Sequence, residues 1–464
     1  MYFQVGSVVT AINGRTDGRI RTICDGLRIA NPEYSTRQRL GLWMGKTPKK
    51  LQLYRTVGDD IEFPFGVLEK IFQAFRGDIQ VQFDRPYPEV EPDAHHLSGL
   101  YPYQKNAVSA IFRKKNGVVV APCGSGKTQI GLAAAMSSGL KTLWITHTTD
   151  LFNQSLARLQ SVFGVSDREI GRITAGKVEI GSRFTFATVQ TLHRCDLALM
   201  RDEWDMIIVD EAHRCVGGPT LPMMFYRVLS GLNARYKIGL TATPFRPNKM
   251  ELMMFAVLGG IIHTVDQSEV TDQTVPMRAK IIPTTFCPDY EKICKSDSTI
   301  DYTRLINAVA EDTERNQMIV AEIEKCVSDG LSVLVLSDRV CHLSALGDLL
   351  DCPYEIITGS VKKNRSDLLR RFDENGYPVL LATYPLAKEG LDIRRLGAVV
   401  LATPIKDRAT VIQSIGRAGR SFPGKSEGLI IDFSDPFSLL EKMCRIRKNI
   451  YKKMKIPIEF ISCE

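Results

Sequence analysis

Residues 118–136 read VVVAPCGSGKTQIGLAAAM. Three consecutive valines, a short loop with two glycines and a lysine, and an alanine-rich run predict a buried strand, a tight loop and a helix, in that order. Gly124 and Gly126 let the backbone curl until its N–H groups point inward, and the helix N-terminus adds partial positive charge at the same place. A loop of this kind, with Ser125 inside it, cradles phosphate oxygens. Lys127 supplies a point charge for the outer phosphates, and Thr128 a hydroxyl for Mg2+. Ala121 stands where such loops usually begin with glycine, at a position that needs only a small residue.

Working outward, residues 206–213 read MIIVDEAH. Two adjacent carboxylates closing an apolar strand are costly to desolvate unless a cation accompanies them. Asp210 is placed to hold Mg2+, and Glu211 to polarise an attacking water as a general base. The second acid favours hydrolysis over phosphoryl transfer to another substrate. A metal-dependent nuclease would also use an acidic pair, but would not need the GKT loop. The two motifs together indicate a nucleoside triphosphatase and nothing narrower.

From about residue 98 short apolar runs alternate with longer helical stretches: GVVVAP, TLWIT, FTFAT, MIIVDE and YKIGLTAT. Runs that are apolar throughout, with helices between them, predict a parallel sheet covered on both faces. The alternation resumes after about residue 300 in LSVLVLSD, YEIITG, PVLLAT, AVVLAT and GLIIDF. Between them, VDQSEVTDQTVPMRAKIIPTTFCPDYEK reads as a connection. Residues 1–97 differ, with short apolar runs broken by Asn13-Gly14 and Asp17-Gly18, a short amphipathic helix in GVLEKIFQAF, and a proline-rich, acidic linker in RPYPEVEPDAHHLSG. The expected fold is α/β: an accessory α+β domain over 1–97, a first α/β domain over 98–285 and a second over 286–464.

Three further motifs follow in order: GLTATPF (239–245), LLATYPLAKEGLDI (380–393) and QSIGRAGR (413–420). Thr241 and Thr243 are small hydroxyl residues at a strand end, placed to relay the presence of a γ-phosphate. Taken together, GSGKT, DEAH, TAT, EGLDI and QxxGRxGR resemble superfamily 2 helicases and translocases over roughly residues 98–435. LYPYQKNAV, WITHTTDLFNQ, TAGK, FATVQTL and VLSDRVCHL fall in matching positions. DEAH and GRAGR are similar to DEAH-box RNA helicases. KEGLDI and TATPFR are more similar to DNA translocases typified by RecG, the restriction motors and the XPB group. The front end resembles compact phage-encoded DEAH helicases of the UvsW and XPB-like kind, which remodel branched DNA.

The resemblance implies two tandem RecA-like (P-loop) domains with a small N-terminal accessory domain, and ATP and Mg2+ as cofactors. It places Tyr101 and Gln104 at the adenine, the loop residues Gly124 to Thr128 at the phosphates, and Gly390 and Asp392 also at the nucleotide. Gln413 would position the water, and Arg417 and Arg420 would reach the γ-phosphate, so that hydrolysis depends on domain closure. Thr148, Gly176, Thr188, Thr358 and Thr383 would contact the nucleic-acid backbone, which carries little sequence information. The implied partner is forked or junction DNA, engaged in part by residues 1–97, with the protein acting as a monomer. An RNA helicase and the duplex-DNA motor of a restriction complex stay open as alternatives.

Composition is that of a folded protein, and its modest positive charge is compatible with a polyanionic partner while a solvated surface is the default reading. The chain has 464 residues and a net charge of +8. The clearest basic cluster, EKMCRIRKNIYKKMKIPIEF, holds Arg445, Arg447, Lys448, Lys452, Lys453 and Lys455, and reads as a helix whose basic face either meets phosphates or is solvated. Eleven scattered cysteines without a CxxC pair suggest free thiols in a reducing compartment. With no long apolar run and no secretion signal at the N-terminus, the expected location is the cytoplasm, that of a host cell if the protein is phage-encoded, and no membrane contact is expected.

Overall fold

The computed structural model describes the chain except residues 123, 217–222, 245–249, 274, 297–298, 360–364, 375, 390–392, 394 and 462–464, and the side chains of 271–273, 365–366 and 387–389. It divides into two compact units. One comprises Met1–Pro122 and Gly126–Glu269, the other Val270–Glu464 with Cys123–Ser125.

The first unit is built on an eight-stranded sheet in the order Lys177–Glu179, Ile170–Thr174, Phe184–Thr188, Thr142–Thr146, Met206–Val209, Tyr236–Thr241, Asn116–Val120 and Ile261–Thr264. Every pairing is parallel except that of the outermost strand Lys177–Glu179. The central strands are buried along their length, as their apolar sequences require. The second unit carries seven parallel strands in the order Tyr354–Ile357, Val379–Thr383, Ser332–Ser337, Leu396–Leu401, Gly428–Ser434, Met277–Pro283 and Ile458–Phe460. All ten apolar runs singled out in the two α/β halves are strands of these sheets.

The domain boundary lies earlier than expected. Met277–Pro283 is not part of a connection: it pairs over seven residues with Gly428–Ser434. The second unit therefore begins near residue 270 rather than 286.

Residues 1–83 form a five-stranded sheet in the order Arg55–Val57, Asp60–Pro64, Val8–Ala11, Tyr2–Val5 and Gln80–Phe83, with the helix Leu68–Phe75 packed on it through Leu68, Ile71 and Phe75. This module shares a core with the larger sheet's unit, because Met253 and Ala256 of the helix Glu251–Leu258 are buried among its side chains. At the contact, a Cβ on Gly66 would lie 2.2 Å from the Gly259 nitrogen, so glycine is required for the two backbones to meet. The segment read as a linker is bound along part of its length. Arg85 donates to the carbonyls of Trp204 (2.8 Å) and Asn233 (3.1 Å) and pairs with Asp205 at 3.0 Å, while Asp93 N–H donates to the Ser137 carbonyl at 2.8 Å.

The basic segment near the end is the helix Ser438–Lys453. Arg447 is 1% exposed and points into the second unit, where Asp432 accepts its hydrogen bonds, so this residue leaves the expected basic face. Arg445, Lys448, Lys452 and Lys453 stay at the surface or partly so. Among the described residues no helix is long and apolar enough to cross a membrane.

Candidate nucleotide and nucleic-acid site

The strand Asn116–Val120 runs into the loop at 121–126 and then the helix Lys127–Ser138. Gly124 (φ +84°) and Gly126 (φ +75°) both occupy the left-handed region, which turns the loop back on itself. A Cβ on Gly126 would stand 2.6 Å from Gln104 Nε2, so the loop and this glutamine are packed against one another. Gln104 is 2% exposed, and its Oε1 accepts from the Tyr101 N–H at 3.1 Å, which turns its amide nitrogen toward the loop. Tyr101 is half-buried with its ring stacked on Tyr103 at 5.7 Å. Ser125 is fully buried, Thr128 half-buried, and Lys127 Nζ reaches the Pro122 carbonyl at 3.5 Å.

Asp210 and Glu211 follow the central strand Met206–Val209 directly. Asp210 is 3% exposed and accepts the Glu211 N–H at 2.9 Å. Burial and the neighbouring Glu211 charge raise the Asp210 carboxyl to about 6, against the opposing pull of Lys127. Glu211 holds a left-handed backbone at φ +49°, unusual for a residue with a side chain. Burial works against its ionisation too, but His213, Lys127 and His147 outweigh it and hold the carboxyl down to about 2. Two carboxylates buried side by side carry a cost that a cation between them would relieve.

His213, which the sequence reading passed over although it is the last letter of DEAH, organises this centre. It is 5% exposed; its Nδ1 lies 3.1 Å from Glu211 Oε2 and 3.2 Å from Thr241 Oγ1. Thr241 Oγ1 also accepts the Thr243 N–H at 3.2 Å. A chain of short contacts therefore runs from the acidic strand end through His213 to the TAT motif. These residues fit a Mg2+-nucleotide: the left-handed glycines let the loop backbone curl, and two buried carboxylates beside Lys127 form a donor set that a cation would complete. Lys127 would meet the phosphates, and Asp210 and Thr128 the metal.

In the second unit, Gln413 lies in the last turn of the helix Arg408–Ile415 and is 5% exposed; both its amide atoms are buried with no hydrogen-bond partner among the described residues. Arg417 is 8% exposed and Arg420 half-buried on the turn that follows. Lys425 braces that turn from within, donating to the carbonyls of Leu396 (2.5 Å), Arg420 (2.9 Å) and Ala418. Gly419 does not serve a left-handed turn; a Cβ there would sit 3.0 Å from Met277 Sδ, so its smallness lets the turn close on the neighbouring strand. Gly390 and Asp392 lie outside the described residues.

The backbone-contact candidates fall at the carboxyl ends of strands, the edge where parallel sheets bind ligands. Thr148 caps the helix Thr149–Phe163, accepting the Leu151 N–H at 3.3 Å. Thr188 ends the strand paired with Thr142–Thr146 and shares hydroxyl contacts with Thr191 (3.1 Å) and Thr174 (3.5 Å). Gly176 sits on an exposed hairpin turn with φ +81°. Thr358 and Thr383 close adjacent strands of the second sheet. The structure thus brings Thr148 and Thr188 to one sheet edge and Thr358 and Thr383 to another.

Two family descriptions match this chain, in the order the geometry requires. Residues 98–246 match "Type III restriction enzyme, res subunit", and residues 314–422 match "Helicase conserved C-terminal domain". The chain is a superfamily 2 helicase. This helicase is 26% identical over 79% of its length to "Putative ATP-dependent RNA helicase L396" of Acanthamoeba polyphaga mimivirus, covering 70% of that protein. It is 28% identical over 71% of its length to "DNA 3'-5' helicase XPB" of Kineococcus radiotolerans, covering 60% of that protein. Among solved structures, Dbp5 of S. cerevisiae bound to RNA and ADP BeF3 superimposes with a TM-score of 0.56 at 18% identity, covering 79% of this helicase and 91% of that chain. That likeness shows the tandem RecA-like fold.

Proposed function

We propose that this helicase hydrolyses ATP to move along DNA, and that it unwinds or branch-migrates forked or junction DNA in replication, recombination or repair. The observation that carries the ATPase is the buried centre in which Glu211, His213 and Thr241 join the acidic strand end to the TAT motif. In this reading Lys127 binds the phosphates, Asp210 and Thr128 hold Mg2+, and Glu211 draws a proton from the attacking water. Gln413, Arg417 and Arg420 act on the γ-phosphate, as the superfamily resemblance assigns them. Thr148, Gly176, Thr188, Thr358 and Thr383 hold the nucleic-acid backbone. Residues 1–97 contact the branch, and the protein works as a monomer in the cytoplasm.

DNA is favoured by the KEGLDI and TATPFR spelling, by the resemblance to compact DEAH-type helicases of the UvsW and XPB-like kind, and by a relative named as a DNA helicase. The relative named as an RNA helicase supports the other reading. ATP hydrolysis measured with single-stranded, duplex, forked and four-way DNA, and with RNA of matched sequence, separates them. Forked and four-way DNA should stimulate turnover most. Equal stimulation by linear duplex would remove the branch, and stimulation by RNA alone would remove DNA.

A further inference from the structure

We propose that the loop Leu40 to Gly45 of the amino-terminal module is a wedge that stacks on the last base pair of a duplex where its strands part. The proposal rests on the reading of this chain as a helicase of forked DNA and names the element that meets the fork.

The loop follows the helix Pro32–Arg39. Trp43 is 85% exposed, with Leu40 at 59% and Leu42 at 52% beside it, whereas Trp144 and Trp204 are each 1% exposed. Large exposed apolar patches mark contact surfaces, and here three large apolar side chains stand open within four residues. The loop is built to hold that shape. Arg37 Nη1 donates to the Trp43 carbonyl at 3.0 Å, the Leu42 N–H to the Arg37 carbonyl at 2.9 Å, and the Thr47 N–H to the Met44 carbonyl at 3.0 Å. Gly45 takes φ +51°, and a Cβ on it would stand 2.9 Å from the Trp43 ring, so glycine there lets the indole lie over the turn.

The surrounding charge points to one class of partner. No acidic residue occurs between Glu33 and Asp59, while Arg37, Arg39, Lys46, Lys49, Lys50 and Arg55 all do. Arg37 pairs with Glu33 at 2.9 Å and Arg55 approaches Glu62 at 3.9 Å. Arg39, Lys46, Lys49 and Lys50 are exposed and make no ion pair among the described residues. Four such cations within the stretch that carries the indole and two leucines suit phosphates flanking an exposed base pair: the cations neutralise the strands, the ring stacks, and the leucines fill the step that opens. Tryptophan, leucine and lysine also suit a lipid headgroup layer. Membership of a helicase superfamily favours the nucleic acid, and vesicles become an arm of the test.

Trp43 is the one exposed tryptophan of three, so its fluorescence reports its own contact. The full-length protein is titrated with a forked duplex, a single strand of the same sequence, a covalently closed circular duplex, and vesicles of anionic phospholipid. The fork should quench the emission at about tenfold lower concentration than the single strand or the circle. Trp43→Ala should bind the fork about tenfold more weakly while keeping single-strand affinity, in line with the usual stacking contribution of one ring. Trp43→Phe should stay within about threefold of wild type and lose the optical signal. Because the ring is at the surface, melting temperatures should match; if Trp43→Ala does not fold, wild-type quenching and Trp43→Phe still decide. Fork binding with unchanged emission and an unaffected Trp43→Ala overturns the wedge and leaves the helicase reading intact. Quenching by vesicles and not by forks overturns it in favour of lipid. Failure of every DNA to bind or to stimulate ATP hydrolysis removes the reading beneath it, and the wedge with it.

Discussion

Arg447 lays its guanidinium side-on against the carboxylate of Asp432, with Nη2 at 2.7 Å from Oδ1 and Nε at 2.8 Å from Oδ2, both residues at most 1% exposed. Tyr451 donates to the same carboxylate at 2.8 Å, and the carbonyls of Ile405 and Phe433 take remaining guanidinium protons at 3.1 Å. Burial alone would drive the arginine toward neutrality, but the Asp432 charge outweighs it and keeps the ion. Replacing one partner strands the other charge in an apolar core. Arg447→Ala is therefore expected to lower the stability of the second unit by about 3–5 kcal/mol, read by urea unfolding. The double variant Arg447→Met with Asp432→Leu should recover much of that loss.

Lys237 is fully buried on the strand Tyr236–Thr241, donating to the carbonyls of Leu229 (2.7 Å) and Ser7 (3.3 Å), with no acid paired to it among the described residues. A neutral amine has two protons for those two acceptors, and burial brings the group down to about 7. Its folded pKa thus lies below its value of 10.5 in the unfolded chain. Between about pH 7 and 10.5 the unfolded chain holds a proton that the folded one lacks, so stability rises with pH across that window. Below it, the cost of a buried ammonium is fully present. Melting temperatures of wild type and Lys237→Met from pH 6.5 to 9.5 test this: the wild type should gain on the variant as pH rises, and parallel curves would contradict it.

Lys127→Ala should lose nucleotide affinity, measured with a fluorescent ATP analogue. Glu211→Gln should keep ATP bound and lower turnover by at least about a hundredfold, as removal of a general base does. Wild-type turnover in Glu211→Gln would reassign that role. His213→Ala should also slow turnover, by releasing Glu211 and Thr241 from a common partner.

Arg420→Ala should bind ATP nearly as wild type does, yet hydrolyse it about a thousandfold more slowly, at the lower end of what arginine fingers contribute. Unaltered DNA-stimulated turnover would sink the assignment. Lys425→Met removes the brace under the same turn and should lower turnover by a smaller factor with ATP affinity unchanged. Lys425→Arg should restore little, since a planar guanidinium does not reproduce one nitrogen donating to three convergent carbonyls.

The two large sheets were legible because each central strand is buried on both faces and so is written without a charged residue in an almost wholly apolar run, apart from Lys237. Met277–Pro283 escaped notice because MRAKIIP carries Arg278 and Lys280. Those cations are answered from outside the strand, Lys280 by Glu322 at 2.6 Å and Arg278 by Glu459 at 2.5 Å. Ile170–Thr174 was hidden by Gly171 and Arg172, for a similar reason near a sheet edge. The phosphate loop and acidic pair were legible because their spacing is local. His213 was spelled out in the motif, but its partner Thr241 is 28 residues away, and only the pairing of neighbouring strands brings the two together. Arg447 shows the same limit: a composition count takes it for surface charge, whereas its partner across the fold makes it core.

The glycine contact between Gly66 and Gly259 has a practical corollary for any attempt to prepare a minimal motor. A chain cut at residue 98 would not shed an appendage. It would uncover Met253 and Ala256, leave the Lys237 amine without the Ser7 carbonyl, and free the acids that Arg85 holds. Such a fragment should collect in inclusion bodies, and the shortest soluble form of the first unit should keep its first residues.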